Sequence, residues 1–116
     1  MNTKNRYEYL KLDCLEDVEP VEAQSTWCLT EGREENITIY SSPLPDGSWV
    51  YGYMVHWANG RTSVRKPTAE LGLFRSQREA KLYAVGFMLI YSDYFLEQTR
   101  IDLRRSEASL MQSELF

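Results

Sequence analysis

Trp49-Val50-Tyr51-Gly52-Tyr53-Met54-Val55-His56-Trp57-Ala58-Asn59-Gly60-Arg61-Thr62-Ser63-Val64-Arg65-Lys66 is the stretch on which the fold turns. Its first half is crowded with aromatic and β-branched residues, which suit a pleated, half-buried strand. Asn59-Gly60 is the strongest short-range hairpin signal, because a type I′ turn needs φ > 0 at both central positions. A two-residue turn then sets Ala58 opposite Arg61, Trp57 opposite Thr62, His56 opposite Ser63, Val55 opposite Val64 and Met54 opposite Arg65. Side chains alternate, so one face carries Trp49, Tyr51, Tyr53, Val55, Trp57, Thr62, Val64 and the stem of Lys66. The other carries Val50, Gly52, Met54, His56, Ala58, Arg61, Ser63 and Arg65. Burying two unpartnered arginines costs more than leaving apolar area wet. The rings are therefore expected under a helix and the arginines toward water.

Upstream, Pro43-Leu44-Pro45-Asp46-Gly47 reads as a turn, with proline presetting φ and glycine tolerating φ > 0. Before it, 25–30 and 36–41 read as strands around the polar connector Glu31-Gly32-Arg33-Glu34-Glu35. Downstream, Pro67 is expected to end the last strand. Ser76-Gln77-Arg78-Glu79 then forms a capping box that launches a helical pattern free of proline through Phe116. Ala80, Tyr83, Ala84, Phe87, Met88, Tyr91 and Phe95 make the stripe that should cover the aromatic sheet face. Gly86 in mid-helix costs about 1 kcal/mol, which points to a close backbone contact there. The expected fold is α+β: an antiparallel meander of three to four strands packed on a long C-terminal helix, in one domain. Its parts are an N-terminal segment 1–24, the sheet over 25–66, the helix over 76–112 and a tail 113–116. Within the first segment, Tyr7, Tyr9, Leu10, Leu12 and Leu15 suit a short helix or an edge strand.

Leu82, Leu89, Leu96, Leu103 and Leu110 recur every seven residues. A continuous helix over 76–112 would be roughly 55 Å long, more than so small a sheet can cover. Its distal half must either fold back at a break near Ser92-Asp93 or pair with a partner. Leucines at this spacing suit a helix–helix seam, so a homodimer through Leu89, Leu96, Leu103 and Leu110 is expected.

The chain has 116 residues, 13 basic and 17 acidic, for a net charge of −4. With 43% apolar and 26% charged residues it has the composition of one globular domain. The longest nearly unbroken apolar run, about Tyr83 to Tyr91, falls short of the ~20 residues that a membrane helix needs. No secretory signal is evident behind Met1, so a cytoplasmic location is expected. Cys14 and Cys28 then read as reduced thiols, packed as small buried hydrophobes. With His56 the single histidine, neither a metal site nor a cofactor is expected. No GxGxxG, Walker, GxSxG or HExxH pattern occurs, and no paired acid–base or nucleophile constellation, so no enzyme is expected. Glu31, Glu34 and Glu35 form the tightest carboxylate cluster, read as a solvated loop.

Charge is unevenly spread. Residues 1–50 balance to −6 and residues 51–116 to +2, and within 61–81 six cations face only Glu70 and Glu79. A local patch of this kind governs anion binding more than the overall pI.

Residues 49–87 resemble the strand-pair-then-helix pattern of the AP2-like N-terminal DNA-binding domains of phage-type integrases. The matching residues are Tyr53-Met54-Val55, Gly60-Arg61, Arg65-Lys66 and Phe74-Arg75-Ser76-Gln77-Arg78-Glu79-Ala80. The resemblance covers about a third of the chain and implies a sheet laid on DNA through Arg61, Ser63 and Arg65. The chain departs from that family in its acidity and its very long helix. The strand-then-helix order is also similar, in topology alone, to the dimeric single-strand-binding coactivator fold. Gln112-Ser113-Glu114-Leu115-Phe116 is similar to the Q-x-x-L-F peptide that docks on the bacterial sliding clamp, which implies Gln112, Leu115 and Phe116 as partner contacts. The alternative is a helix end whose two apolar residues fold back on the domain.

The leading expectation is a small non-enzymatic nucleic-acid-binding accessory protein using the outward sheet face. Its contacts would be Arg61, Ser63, Arg65, Lys66, Arg75, Arg78 and His56. The alternative is a protein-interaction adaptor docking through the C-terminal helix and tail.

Overall fold

The computed structural model describes residues 4–30 and 33–112. Strands β1 (Ser25–Cys28), β2 (Asn36–Pro43), β3 (Trp49–His56) and β4 (Thr62–Thr68) form one antiparallel sheet in the order β1-β2-β3-β4. Helices α1 (Gln77–Ile90) and α2 (Glu97–Gln112) follow, separated by a 3-10 turn at Ser92–Tyr94. The fold is the expected α+β meander with helices on one face. No described helix is long and apolar enough to cross a membrane.

The β3–β4 turn differs from expectation, and the difference matters. It holds three residues, Ala58, Asn59 and Gly60, closed by Trp57 N–H to the Arg61 carbonyl at 2.8 Å and Gly60 N–H to the Trp57 carbonyl at 3.0 Å. A type I′ turn would need positive φ at Asn59 as well. Only Gly60 has it, at +90°, while Asn59 Oδ1 accepts from Arg61 N–H at 3.0 Å. This is the alternative hairpin closure, with glycine alone in the left-handed region. Tyr53 therefore pairs with Arg65, Val55 with Ser63 and His56 with Thr62. Because the side-chain period is two, a one-residue slip moves the whole strand's side chains across the sheet. Arg61, Ser63 and Arg65 consequently lie on the same side as Tyr53, Val55 and Trp57. Val64 faces away from the helices, 57% exposed.

β4 also runs past Pro67. The register shifts between Tyr51 and Tyr53, giving β4 one extra residue. Such a bulge frees proline from donating to the ladder. Gly52 is required opposite it, since a Cβ there would stand 2.3 Å from the Arg65 carbonyl oxygen and 2.5 Å from Pro67 N.

The core lies between the sheet and α1. Tyr51, Phe74 and Tyr83 pack as tilted rings with centroids 5.0–6.0 Å apart, surrounded by buried Ile37, Ile39, Val55, Val85 and Met88. Ser76 caps α1 by accepting from Glu79 N–H at 3.1 Å. Of the expected stripe, Ala80, Tyr83, Ala84, Met88 and Phe95 are buried, whereas Tyr91 is 41% exposed.

Of the two possible fates for the helix, the structure takes the fold-back. Glu35 is the reason, and it is no solvated loop residue: only 2% exposed, its Oε1 accepts from Leu96 N–H at 2.8 Å and from the Thr99 hydroxyl at 2.7 Å. The first bond satisfies the backbone N–H at the N-terminal end of α2, and the second ties the carboxylate to the first turn of that helix. Arg100 supports the same turn by donating to the Phe95 carbonyl at 3.0 Å. α2 then packs against α1, and Leu103 is completely buried within the chain. Leu89 and Leu110 pack against the core while Leu96 is 43% exposed. Leu103 is therefore held inside one chain and is not available to a partner.

Both cysteines are exposed, contrary to expectation. In β1 the inward position belongs to Trp27, which packs on the core, so alternation turns Cys28 outward. The N-terminal segment forms a 3-10 turn at Glu8–Leu10 and then runs beside 67–73, with an isolated bridge between Asp13 and Leu73.

Candidate functional site

The expected phosphate contacts do not form one surface. His56 faces away from the helices and shares a 2.9 Å hydrogen bond with Thr62 Oγ1. Lys66 pairs with Glu22 at 2.8 Å and Arg65 with Glu70 at 3.1 Å. Arg78 donates to the Leu110 carbonyl at 3.1 Å across the helix pair. Arg75 and Arg78 share a groove of about 300 Å³ with Tyr9, Leu12 and Met111, apart from the β3–β4 turn. The outward sheet face presents Thr26, Thr38, Tyr40, Met54 and Val64, and its lysine, Lys66, is paired with Glu22. Arg61 and Arg65, the two arginines expected on this face, lie on the opposite one.

What the register brings together instead is Arg61, Ser63 and a row of rings. Trp57, Asn59, Arg61, Thr62, Ser63, Tyr91 and Tyr94 line a cleft of about 480 Å³ between the β3–β4 turn and the Ser92–Tyr94 turn. A second hollow of about 220 Å³ shares Trp57, Ser63 and Tyr91 and extends to Tyr53 and Phe87. Each wall has a local cause. Trp57 directly follows β3 and stacks flat on Phe95, with centroids 4.7 Å apart and planes 8° apart. Tyr91 terminates α1 and meets Phe87 edge-on at 5.3 Å. Tyr94, 68% exposed, stands 6.4 Å from Tyr91. The indole N–H of Trp57 donates to Ser63 Oγ at 3.4 Å. Arg61 is exposed, and no ion pair engages it among the described residues.

No family profile, curated protein or solved structure matches this chain.

The groups with displaced pKa values lie elsewhere. Burial, with a hydrogen bond to Glu107, pushes the Tyr7 phenol up to about 12. Burial also raises Tyr51 and Tyr83. These phenols belong to the core and to the N-terminal segment where it crosses the helices. Among the described residues there is no metal-binding group of three or more His, Cys, Asp or Glu side chains.

Reasoning from sequence missed Tyr91 and Tyr94 as open rings, because a continuous helical stripe would have covered Tyr91. The one available signal was the expected break near Ser92-Asp93. Of the partner-contact residues, Gln112 is exposed at the end of α2, while Leu115 and Phe116 lie outside the described residues.

Proposed function

We propose that this chain is a non-enzymatic accessory protein that holds single-stranded nucleic acid in the cleft between Trp57, Tyr91 and Tyr94. One observation carries the reading: an unengaged guanidinium, Arg61, on the same side of the sheet as open aromatic faces. Bases splayed from a single strand stack on such rings for about 1–3 kcal/mol each, whatever their sequence. Arg61 would meet an adjoining phosphate, and Asn59 and Ser63 supply polar edges. A duplex keeps its bases stacked on one another, so it gains little here. With Arg61 as the cation of the cleft in an acidic protein, stacking supplies most of the affinity. The slope of log K against log salt is then shallow, about −0.7 for a single phosphate on a single strand. This reading carries a cytoplasmic location with it and needs no second copy of the chain.

The test is fluorescence anisotropy with labelled oligo(dT) and a matched duplex across a salt series. Binding is expected for the single strand, with a weaker duplex. Tyr94→Ala and Arg61→Ala, both at exposed positions, are each expected to weaken it by roughly fivefold or more. A double variant that binds like the parent protein rejects the cleft.

A further inference from the structure

The two walls of the cleft come from distant parts of the chain, and one buried carboxylate bonds beside each, to Ala58 next to Asn59 and to Leu96 two residues after Tyr94. Glu35 Oε1 holds the start of α2 through Leu96 N–H and the Thr99 hydroxyl. Its other oxygen, Oε2, accepts from Ala58 N–H at 3.5 Å, in the β3–β4 turn that carries Asn59 and Arg61. We infer that Glu35 is a positioning residue for the aromatic cleft, tying the Arg61-bearing turn to the Tyr94-bearing turn and so setting the spacing between cation and rings. The inference rests on the cleft being the binding site.

The chemistry of the side chain separates this role from simple stabilisation. Glutamine in place of Glu35 keeps a carbonyl oxygen for Leu96 and Thr99, but its amide NH2 faces the Ala58 N–H, donor against donor. Glu35→Gln should therefore free the turn while α2 stays capped. Ala58 offers the same bond from its other end. It is exposed and occupies the second position of the turn closed by Gly60 N–H to the Trp57 carbonyl, where proline is well tolerated. Ala58→Pro removes the donor and leaves both other bonds of Glu35 in place. Arg33→Ala is the control. It breaks the 3.0 Å pair between Arg33 and Asp102, which ties the same β1–β2 connector to the same helix without touching the turn.

Affinity for labelled oligo(dT) and the NMR signals of the Ala58 and Leu96 amides and the Trp57 indole decide the matter. Glu35→Gln and Ala58→Pro are each expected to weaken binding about threefold, as for one long hydrogen bond. Their combination should be no worse than either alone, since both remove one interaction. In Glu35→Gln, Ala58 should exchange faster while Leu96 stays protected. Arg33→Ala should bind like the parent. Parent-like binding by both turn variants overturns the inference, as does an equal loss in Arg33→Ala. If the parent itself binds no oligo(dT), the functional reading fails, and the positioning role is judged on the Trp57 indole signal alone. A shift in Glu35→Gln and Ala58→Pro but not in Arg33→Ala upholds it, and no shift overturns it.

Discussion

Asn5 and Gly86 meet with no room for a side chain between them. Asn5 Nδ2 donates to the Tyr83 carbonyl at 2.9 Å, and a Cβ on Gly86 would stand 2.3 Å from Asn5 Oδ1 and 2.8 Å from a ring carbon of Tyr7. Alanine in a helix interior normally gains about 1 kcal/mol over glycine. Here the crowding should exceed that gain, because Asn5 must give up its bond and Tyr7 its packing. Gly86→Ala is expected to destabilise the protein by about 1–2 kcal/mol, near the usual cost of overpacking. Urea unfolding reads it directly, and a variant as stable as the parent would show that the N-terminal segment does not sit against α1.

The hairpin register has its own signature. Under the two-residue turn Val64 would belong to the ring face, and a lysine there would disrupt the core. In the structure Val64 points outward and is more than half exposed. Val64→Lys is therefore expected to change stability by no more than about 0.5 kcal/mol, as surface substitutions usually do. A loss of several times that amount in thermal unfolding would restore the two-residue turn.

Two leucines of the seven-residue row should behave very differently. Leu103→Ala leaves a hole in the core and is expected to cost about 2–5 kcal/mol. Leu96→Ala, at a 43% exposed position, should cost little. If the row were instead a seam between two chains, both substitutions would alter the molar mass measured by light scattering. The structure leads us to expect the mass unchanged in both.

Alkaline pH should loosen the N-terminal segment. Tyr7 donates its phenol proton to Glu107, which Arg6 also engages at 3.2 Å. Burial and that bond raise the phenol from its ordinary value of 10 to about 12. The folded state thus favours the protonated form. Its contribution is fully present below about pH 10 and is lost as pH rises toward about 12. Urea midpoints should fall across that window, and less steeply in Tyr7→Phe, which has no proton to lose. An equal slope in the two proteins would assign the alkaline loss to other groups, such as Tyr51 and Tyr83.

Local chemistry explains why much of the architecture was legible. Strand propensity and turn residues located all four strands, the Ser76 cap located the start of α1, and a glycine in mid-helix announced a close approach. The errors share one origin, in features that depend on partners far along the chain. Whether Asn59-Gly60 closes a two- or three-residue turn is a small local energy difference, and one residue of slip reversed the faces of β4. Cys28 was expected inside by residue type, yet Trp27 claimed the inward position beside it. Glu35 looked solvated because its partners, Leu96 and Thr99, lie some sixty positions away.

The sequence by itself determined an α+β meander with a ring-rich central strand, since these follow from patterns within a few residues. Only the tertiary structure decided that α2 folds back onto α1, and that Arg61 shares a cleft with Trp57, Tyr91 and Tyr94. Those outcomes rest on which side of β4 faces the helices and on where one buried carboxylate finds its donors. Both are settled by packing between segments that no local pattern connects.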